Sequence, residues 1–119
     1  MVIDLTTQLR DMDCKLLEQD KPVFDDAGKV TSTIKEPVLL GKLCKSALLQ
    51  ANEEDKADEK VTRFELSLRL SMAKGDDIDL EAEDVTLIKK LVGKMYAPLV
   101  VGQVYRLLEG KETGLEPKE

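Results

Sequence analysis

Two helical apolar patterns meet at Tyr96-Ala97-Pro98 with almost no linker between them, which limits the chain to folds whose last two helices turn sharply against each other. Pro98 lacks an N–H and so fits the first turn of a helix, where that donor has no intrahelical acceptor. Upstream, Leu87, Ile88, Leu91, Val92, Met95 and Tyr96 recur at helical spacing as the buried face of a helix beginning near Ala82, with Lys89, Lys90 and Lys94 on its wet face. Downstream, Val100, Val101, Val104, Tyr105, Leu107 and Leu108 carry a further helix to Gly110. Ile78 to Gly110 therefore reads as a helix hairpin or corner that places the core. Gly93 and Gly102, each near mid-helix, are expected to permit close crossing.

Two more helices precede this pair. From Pro37 onward, Leu39, Leu40, Leu43, Cys44, Ala47, Leu48 and Ala51 fall on i, i+3 and i+4 positions, predicting an amphipathic helix over Val38 to Ala51. Gly41 inside it costs up to about 1 kcal/mol relative to Ala, which close approach of another backbone would offset. Asn52 to Asp55 reads as a polar break or acidic cap. The next helix runs from Lys56 or Asp58 to Ala73 and closes at Lys74-Gly75. Val61, Phe64, Leu68 and Met72 form one stripe on it, and Leu66 and Leu70 widen that stripe enough to serve more than one neighbour. Arg63 and Arg69 are expected to snorkel or to pair with acids such as Glu59 and Glu65.

The first 35 residues are extended and turn-rich. Val2, Ile3 and Leu5 give a short strand, and a second segment from Leu9 turns at Asp11 to Lys15. Pro22-Val23-Phe24 and Val30 to Ile34 flank Asp25-Asp26-Ala27-Gly28-Lys29, where Asp starts the turn and Gly28 can take positive φ, so a hairpin is predicted. The equivalent turn at Asp11 to Lys15 would put Cys14 or a neighbour in an unusual backbone state. Asp76 to Leu80 is a short extended link and a candidate strand against the N-terminal region.

At 119 residues the chain fits one domain that buries roughly two thirds of its unfolded surface. Only two Phe and two Tyr are present, with no Trp, so the core must rest on Leu, Val, Ile, Ala and Met. A net charge of −6 repels phosphate backbones and weighs against nonspecific nucleic-acid binding. With Cys14 and Cys44 far apart, no CxxC and no His, neither structural zinc nor a redox pair is suggested. Cys44 belongs to an apolar stripe, and Cys14 reads as a surface thiol. The start of the sequence shows no basic region or apolar run of signal-peptide length, and no run is long enough for a membrane span. A cytoplasmic protein without membrane contact is expected.

No candidate chemistry survives inspection. Asp76, Asp77, Asp79, Glu81, Glu83 and Asp84 invite a calcium loop, but an EF-hand counted from Asp77 needs Gly at its sixth position and Glu at its twelfth, where Ala82 and Ile88 stand. Acids at a helix N-terminus are the better account of the cluster. No catalytic residue, metal or cofactor is expected. Lys89, Lys90 and Lys94 suggest a solvated face or a docking face, and Tyr96 and Tyr105 are the rigid amphipathic residues that anchor interfaces when exposed. These five residues are the candidate partner interface.

The start Asp4-Leu5 through Leu9-Arg10-Asp11-Met12-Asp13 and the end LIKKLVGKMYAPLVVGQVYRLLEG resemble small proteins encoded by tailed phages and prophages. In that resemblance a glycine is expected after Asp13, where this chain has Cys14. The class implies no activity, but it favours virion assembly or modulation of a host protein, in a bacterial host cytoplasm.

The expected architecture is α+β: an extended and β-hairpin region over 1–35, about four helices over 37–110, and a mobile tail over 111–119, with 1–110 a single domain. The expected function is a noncatalytic protein-interaction module that binds a protein partner or a second copy. The alternative is a regulator acting through nucleic acid, or through a DNA-binding protein by acidic mimicry.

Overall fold

In the computed structural model, residues 2–50, 56–73 and 77–117 are described. The chain is α+β in the expected order: β1 (Val2–Asp4), β2 (Glu18–Phe24), β3 (Val30–Pro37), α1 (Leu40–Leu49), α2 (Ala57–Met72), β4 (Asp77–Asp79), α3 (Ala82–Met95) and α4 (Pro98–Leu108). The four strands form two separate antiparallel pairs, β1 with β4 and β2 with β3.

The short link before α3 does pair with the N-terminal strand: Ile3 lies opposite Ile78, flanked by Val2 opposite Asp79 and Asp4 opposite Asp77. Ile3 points into the core and the flanking acids into water, the alternation a strand with one wet face requires. Beyond β1 the chain runs beside the start of α1. Leu9 N–H donates to Val38 O, Leu40 N–H to Thr7 O and Gly41 N–H to Leu5 O. These bonds hold Val38 and Leu39 extended, so α1 starts at Leu40 and not at Val38 as the periodicity predicts. At its other end α1 stops at Leu49, with Gln50 already extended, short of the expected end at Ala51; Ala51 itself and the breaks expected at Asn52 to Asp55 and Lys74-Gly75 lie outside the described residues. At Gly41 a Cβ would stand 3.1 Å from Leu5 Cβ and 3.2 Å from Leu5 O, which is the close backbone approach that accounts for glycine there.

Ile3, Leu5, Leu9, Val38, Leu40, Cys44, Ala47, Leu48, Leu66, Leu70, Leu80, Ile88, Val92, Val104 and Leu108 make the core. It is entirely aliphatic apart from Cys44. Among the described residues methionine, expected to contribute, does not: Met12, Met72 and Met95 are exposed. The α3–α4 junction has the expected form, with α3 ending at Met95, Tyr96 and Ala97 extended, and Pro98 opening α4. Gly93 lets α4 approach, since its Cβ would lie 3.2 Å from the Tyr105 hydroxyl, whereas nothing lies within 4 Å of a Cβ at Gly102.

Two buried polar side chains hold the layers together. Gln103 on α4 accepts from Arg10 N–H at 2.7 Å and donates to Arg10 O at 2.7 Å, clamping the backbone of the first turn as a neighbouring strand would. Arg63 on α2 donates to Leu48 O at 2.9 Å and also to Gln50 O, bringing a cation to carbonyls that the last turn of α1 leaves without helical donors. The snorkelling expected of Arg63 is therefore replaced by burial. Residues 111–117 fold back along α4: Arg106 donates to Glu112 O, and the Glu116 carboxylate receives the N–H groups of Thr113 and Gly114, while Thr113 is buried.

The β2–β3 hairpin is a different kind of element. Both strands are exposed along almost their whole length, with Glu36 alone partly covered. Seven residues of β2 at about 3.4 Å each give an arm on the order of 24 Å long. The radius of gyration is 15.5 Å, against about 13.5 Å for a compact domain of this length, as a projecting arm requires.

Candidate partner interface

The arm is built from its turn outward. Asp25 N–H donates to Lys29 O at 2.9 Å, the Asp25 carboxylate receives the N–H groups of Ala27 and Lys29 at 2.9 Å each, and Gly28 takes φ 81°. The pairing runs from Glu18 opposite Pro37 to Phe24 opposite Val30, with an irregularity between Val23 and Phe24. Lys35 meets Asp20 at 2.6 Å across the strands, and Lys42 of α1 meets Glu36 at the base of the arm. The Lys42 ammonium accordingly holds the Glu36 carboxyl below its ordinary pKa. Val23, Phe24, Val30 and Ile34 are all exposed on this hairpin. A two-stranded hairpin is at best marginally stable alone in water and becomes stable against a third strand or a packed surface. Pro22 has no N–H to offer along β2, whereas β3 runs Val-Thr-Ser-Thr-Ile with strong strand propensity. An arm of this kind suits docking to a protein surface.

A second apolar surface lies on α2. The helix buries Arg63, Leu66, Ser67 and Leu70, so the stripe Val61, Phe64, Leu68 and Met72 faces water at 55%, 57%, 47% and 70% exposure. This corrects the expectation of one broad stripe. Apolar residues occupy opposite sides of α2, and only the Leu66/Leu70 side meets the core.

The five residues expected at an interface do not form one surface. Tyr105 and Lys89 face each other inside the α3–α4 contact: the Tyr105 hydroxyl donates to Lys89 O at 3.0 Å, and Lys89 Nζ stands 5.3 Å from the ring centroid. Lys89 also meets Glu109 at 3.0 Å, and that hydrogen bond, with a second from Lys111, lowers the Glu109 carboxyl pKa. Tyr96 is half-buried; burial raises its pKa, and a hydrogen bond with Ser46 partly opposes that. Lys90 and Lys94 line an open cleft of about 280 Å³ between α2 and α3, together with Glu59, Thr62, Arg63, Leu87 and Leu91. The lysines expected to share one face are thus divided between an ion pair and a cleft.

The clefts offer little chemistry. Thr62, the hydroxyl of the α2–α3 cleft, donates to Asp58 O at 3.0 Å. Burial pushes the Cys44 thiol up to about 12, so it is a core side chain and not a nucleophile. Among the described residues no group of three or more acids or cysteines could hold a metal ion, and no helix is long and apolar enough to cross a membrane. The acids at the start of α3 act on the helix instead: Asp84, in its first turn, accepts from Glu81 N–H at 3.2 Å and pairs with Arg69 at 3.3 Å. Asp76 lies outside the described residues. Sequence reasoning missed the arm's isolation and the outward turn of the α2 stripe; the double apolar pattern of α2 was the available signal.

No protein-family model, curated protein or solved structure matches this chain.

Proposed function

We propose that this chain is a noncatalytic protein-interaction module whose β2–β3 arm reaches onto a partner protein, serving as an accessory or chaperone-like factor in tailed-phage or prophage assembly. The observation that carries the reading is the arm itself: twenty residues from Glu18 to Pro37 that add nothing to the core and leave both faces of a two-stranded ribbon wet. The resemblance of both chain ends to phage-encoded proteins supports the assembly setting. Contact with nucleic acid through α3 is the weaker reading, because Lys89 is engaged by Glu109 and Tyr105.

Val38 N–H donates to Leu17 O at 3.0 Å, the bond that closes a two-residue hairpin turn, so residues 18–37 can be replaced by Asn-Gly without stretching the base. The shortened and full chains are each tagged and recovered from phage-producing cells after cross-linking. The full chain is expected to retain a stoichiometric virion protein that the shortened chain loses, with helical circular dichroism kept. Equal recovery by both overturns the role of the arm. A basic DNA-binding protein as the partner would instead support mimicry.

A further inference from the structure

We infer that the outward face of α2 is a self-association surface, on which a second copy of this chain lays its own α2 antiparallel across a two-fold axis. Val61, Phe64, Leu68 and Met72 stand at steps of three, four and four residues, a continuous stripe on one side of the helix. At about 1.5 Å per residue it is roughly 16 Å long. The side facing its own core carries Arg63, Leu66, Ser67 and Leu70, so the two surfaces of α2 are independent.

The charges beside the stripe select the occupant and its direction. Glu65 and Arg69 project on the same flank, one helical turn apart. A two-fold axis between the levels of Glu65 and Leu68 brings Val61 over Met72 of the second copy and sets Glu65 beside the other Arg69, twice by symmetry. Arg69 is half exposed beside Asp84 and can reach such a partner. The acidic first turn, Asp58 and Glu59, then meets the far end of the other helix, whereas a parallel pair would stack the two acidic ends and align the helix dipoles. The apolar contribution is roughly 400 Å² from each copy, about 800 Å² in all before the stems of Glu65 and Arg69 are added, which falls short of stable specific interfaces and in the range of weak, reversible ones. A weak, reversible dimer populated at high protein concentration is expected. It is isologous, as two-fold dimers are, and it is separate from the arm, so it stands or falls apart from the proposed function.

The test is sedimentation equilibrium of the full chain over a wide concentration range, beside Leu68→Glu and the double variant Val61→Cys, Met72→Cys in a Cys14→Gly background. The full chain is expected to move from monomer to dimer with rising concentration. Leu68→Glu is expected to weaken the dimer by at least about thirtyfold, since symmetry removes the anchor from both copies, with unchanged circular dichroism. The double-cysteine variant should oxidise to a doubly linked dimer, and Val61→Cys alone should not. A chain that stays monomeric at millimolar concentration overturns the inference, as does a dimer indifferent to Leu68→Glu. Efficient cross-linking of Val61→Cys alone overturns the antiparallel arrangement. The chain with residues 18–37 replaced should dimerise as well as the full one, and a dimer lost with the arm assigns self-association to the arm instead.

Discussion

Cys14→Gly should stabilise this protein, and two turns of the same chain supply the magnitude. In the first, Asp11 N–H donates to Lys15 O at 2.9 Å, Cys14 N–H to Asp11 O at 3.0 Å, and the Asp11 carboxylate receives Asp13 N–H at 2.9 Å and Lys15 N–H at 3.1 Å. The arm turn repeats every one of these bonds from Asp25, with Gly28 donating to Asp25 O at 3.0 Å. Gly28 takes φ 81° and Cys14 φ 65°, so the two turns differ mainly in a Cβ. A left-handed backbone costs an L-residue about 1–2 kcal/mol, and the extra freedom of an unfolded glycine returns roughly 0.5–1 kcal/mol of that. The net gain is about 0.5–1 kcal/mol, or on the order of 2–5 °C in Tm for a domain of this size. The Arg10 guanidinium bond to Cys14 O uses the backbone and survives the change. The assay is thermal and urea unfolding under reducing conditions, with Cys14→Ala as the control that removes the thiol but keeps the strain. Cys14→Ala should stay close to the parent. A Cys14→Gly protein no more stable than Cys14→Ala would refute the steric account of this turn.

Three further outcomes follow from the packing. Gln103→Ala leaves Arg10 N–H and C=O without their side-chain partner; at about 1–3 kcal/mol for each of the two stranded groups it should lower stability by roughly 2–6 kcal/mol, and hydrogen exchange at the Arg10 amide should speed up more than at Leu66. Gly41→Ala should destabilise by about 1–3 kcal/mol despite the better helix propensity of Ala, because its methyl meets Leu5 backbone as well as side chain; urea midpoints decide the sign. Acid should weaken the fold below pH 4.5, the ordinary value for Glu36, Glu109 and Glu116, which hydrogen bonds from Lys42, Lys89 and Thr113 respectively hold lower, as the Thr6 hydroxyl holds Asp4 below 3.8. A carboxyl with a depressed folded pKa stabilises above its unfolded value and loses that contribution as pH falls through the folded one, so urea midpoints should be flat from neutrality to about that pH and decline beneath it.

Local chemistry made much of the fold legible. Pro98 opens α4 because its missing donor costs nothing there, and Gly28 turns the arm because it accepts positive φ. The strand at Ile78 could be proposed because a single apolar residue between acids fits a one-faced pair. The orientation of α2 was less accessible. Its more apolar stripe lost the core to a side containing Arg63 and Ser67, because Arg63 is fixed by carbonyls at the end of α1, and a periodicity of apolar residues cannot register a buried cation. Gln103 escaped for a similar reason: its partner is the main chain of Arg10, and a backbone acceptor has no signature in the sequence. The proposed interface residues illustrate the same limit, since spacing put Lys89, Lys90 and Lys94 on one helix but not their neighbours, and Glu109 and Tyr105 take up the first of them.

The Gln103 clamp also bears on the order in which the molecule can assemble. Arg10 leaves the ribosome long before Gln103, and the partner that satisfies its peptide group belongs to the last helix. The opening segment is therefore expected to wait, its amides exchanging with solvent, until α4 has been synthesised and has closed on α3. A ribosome-bound nascent chain halted before α4 should accordingly leave the Asp11 to Lys15 turn open to proteolysis, and release of the full chain should protect it.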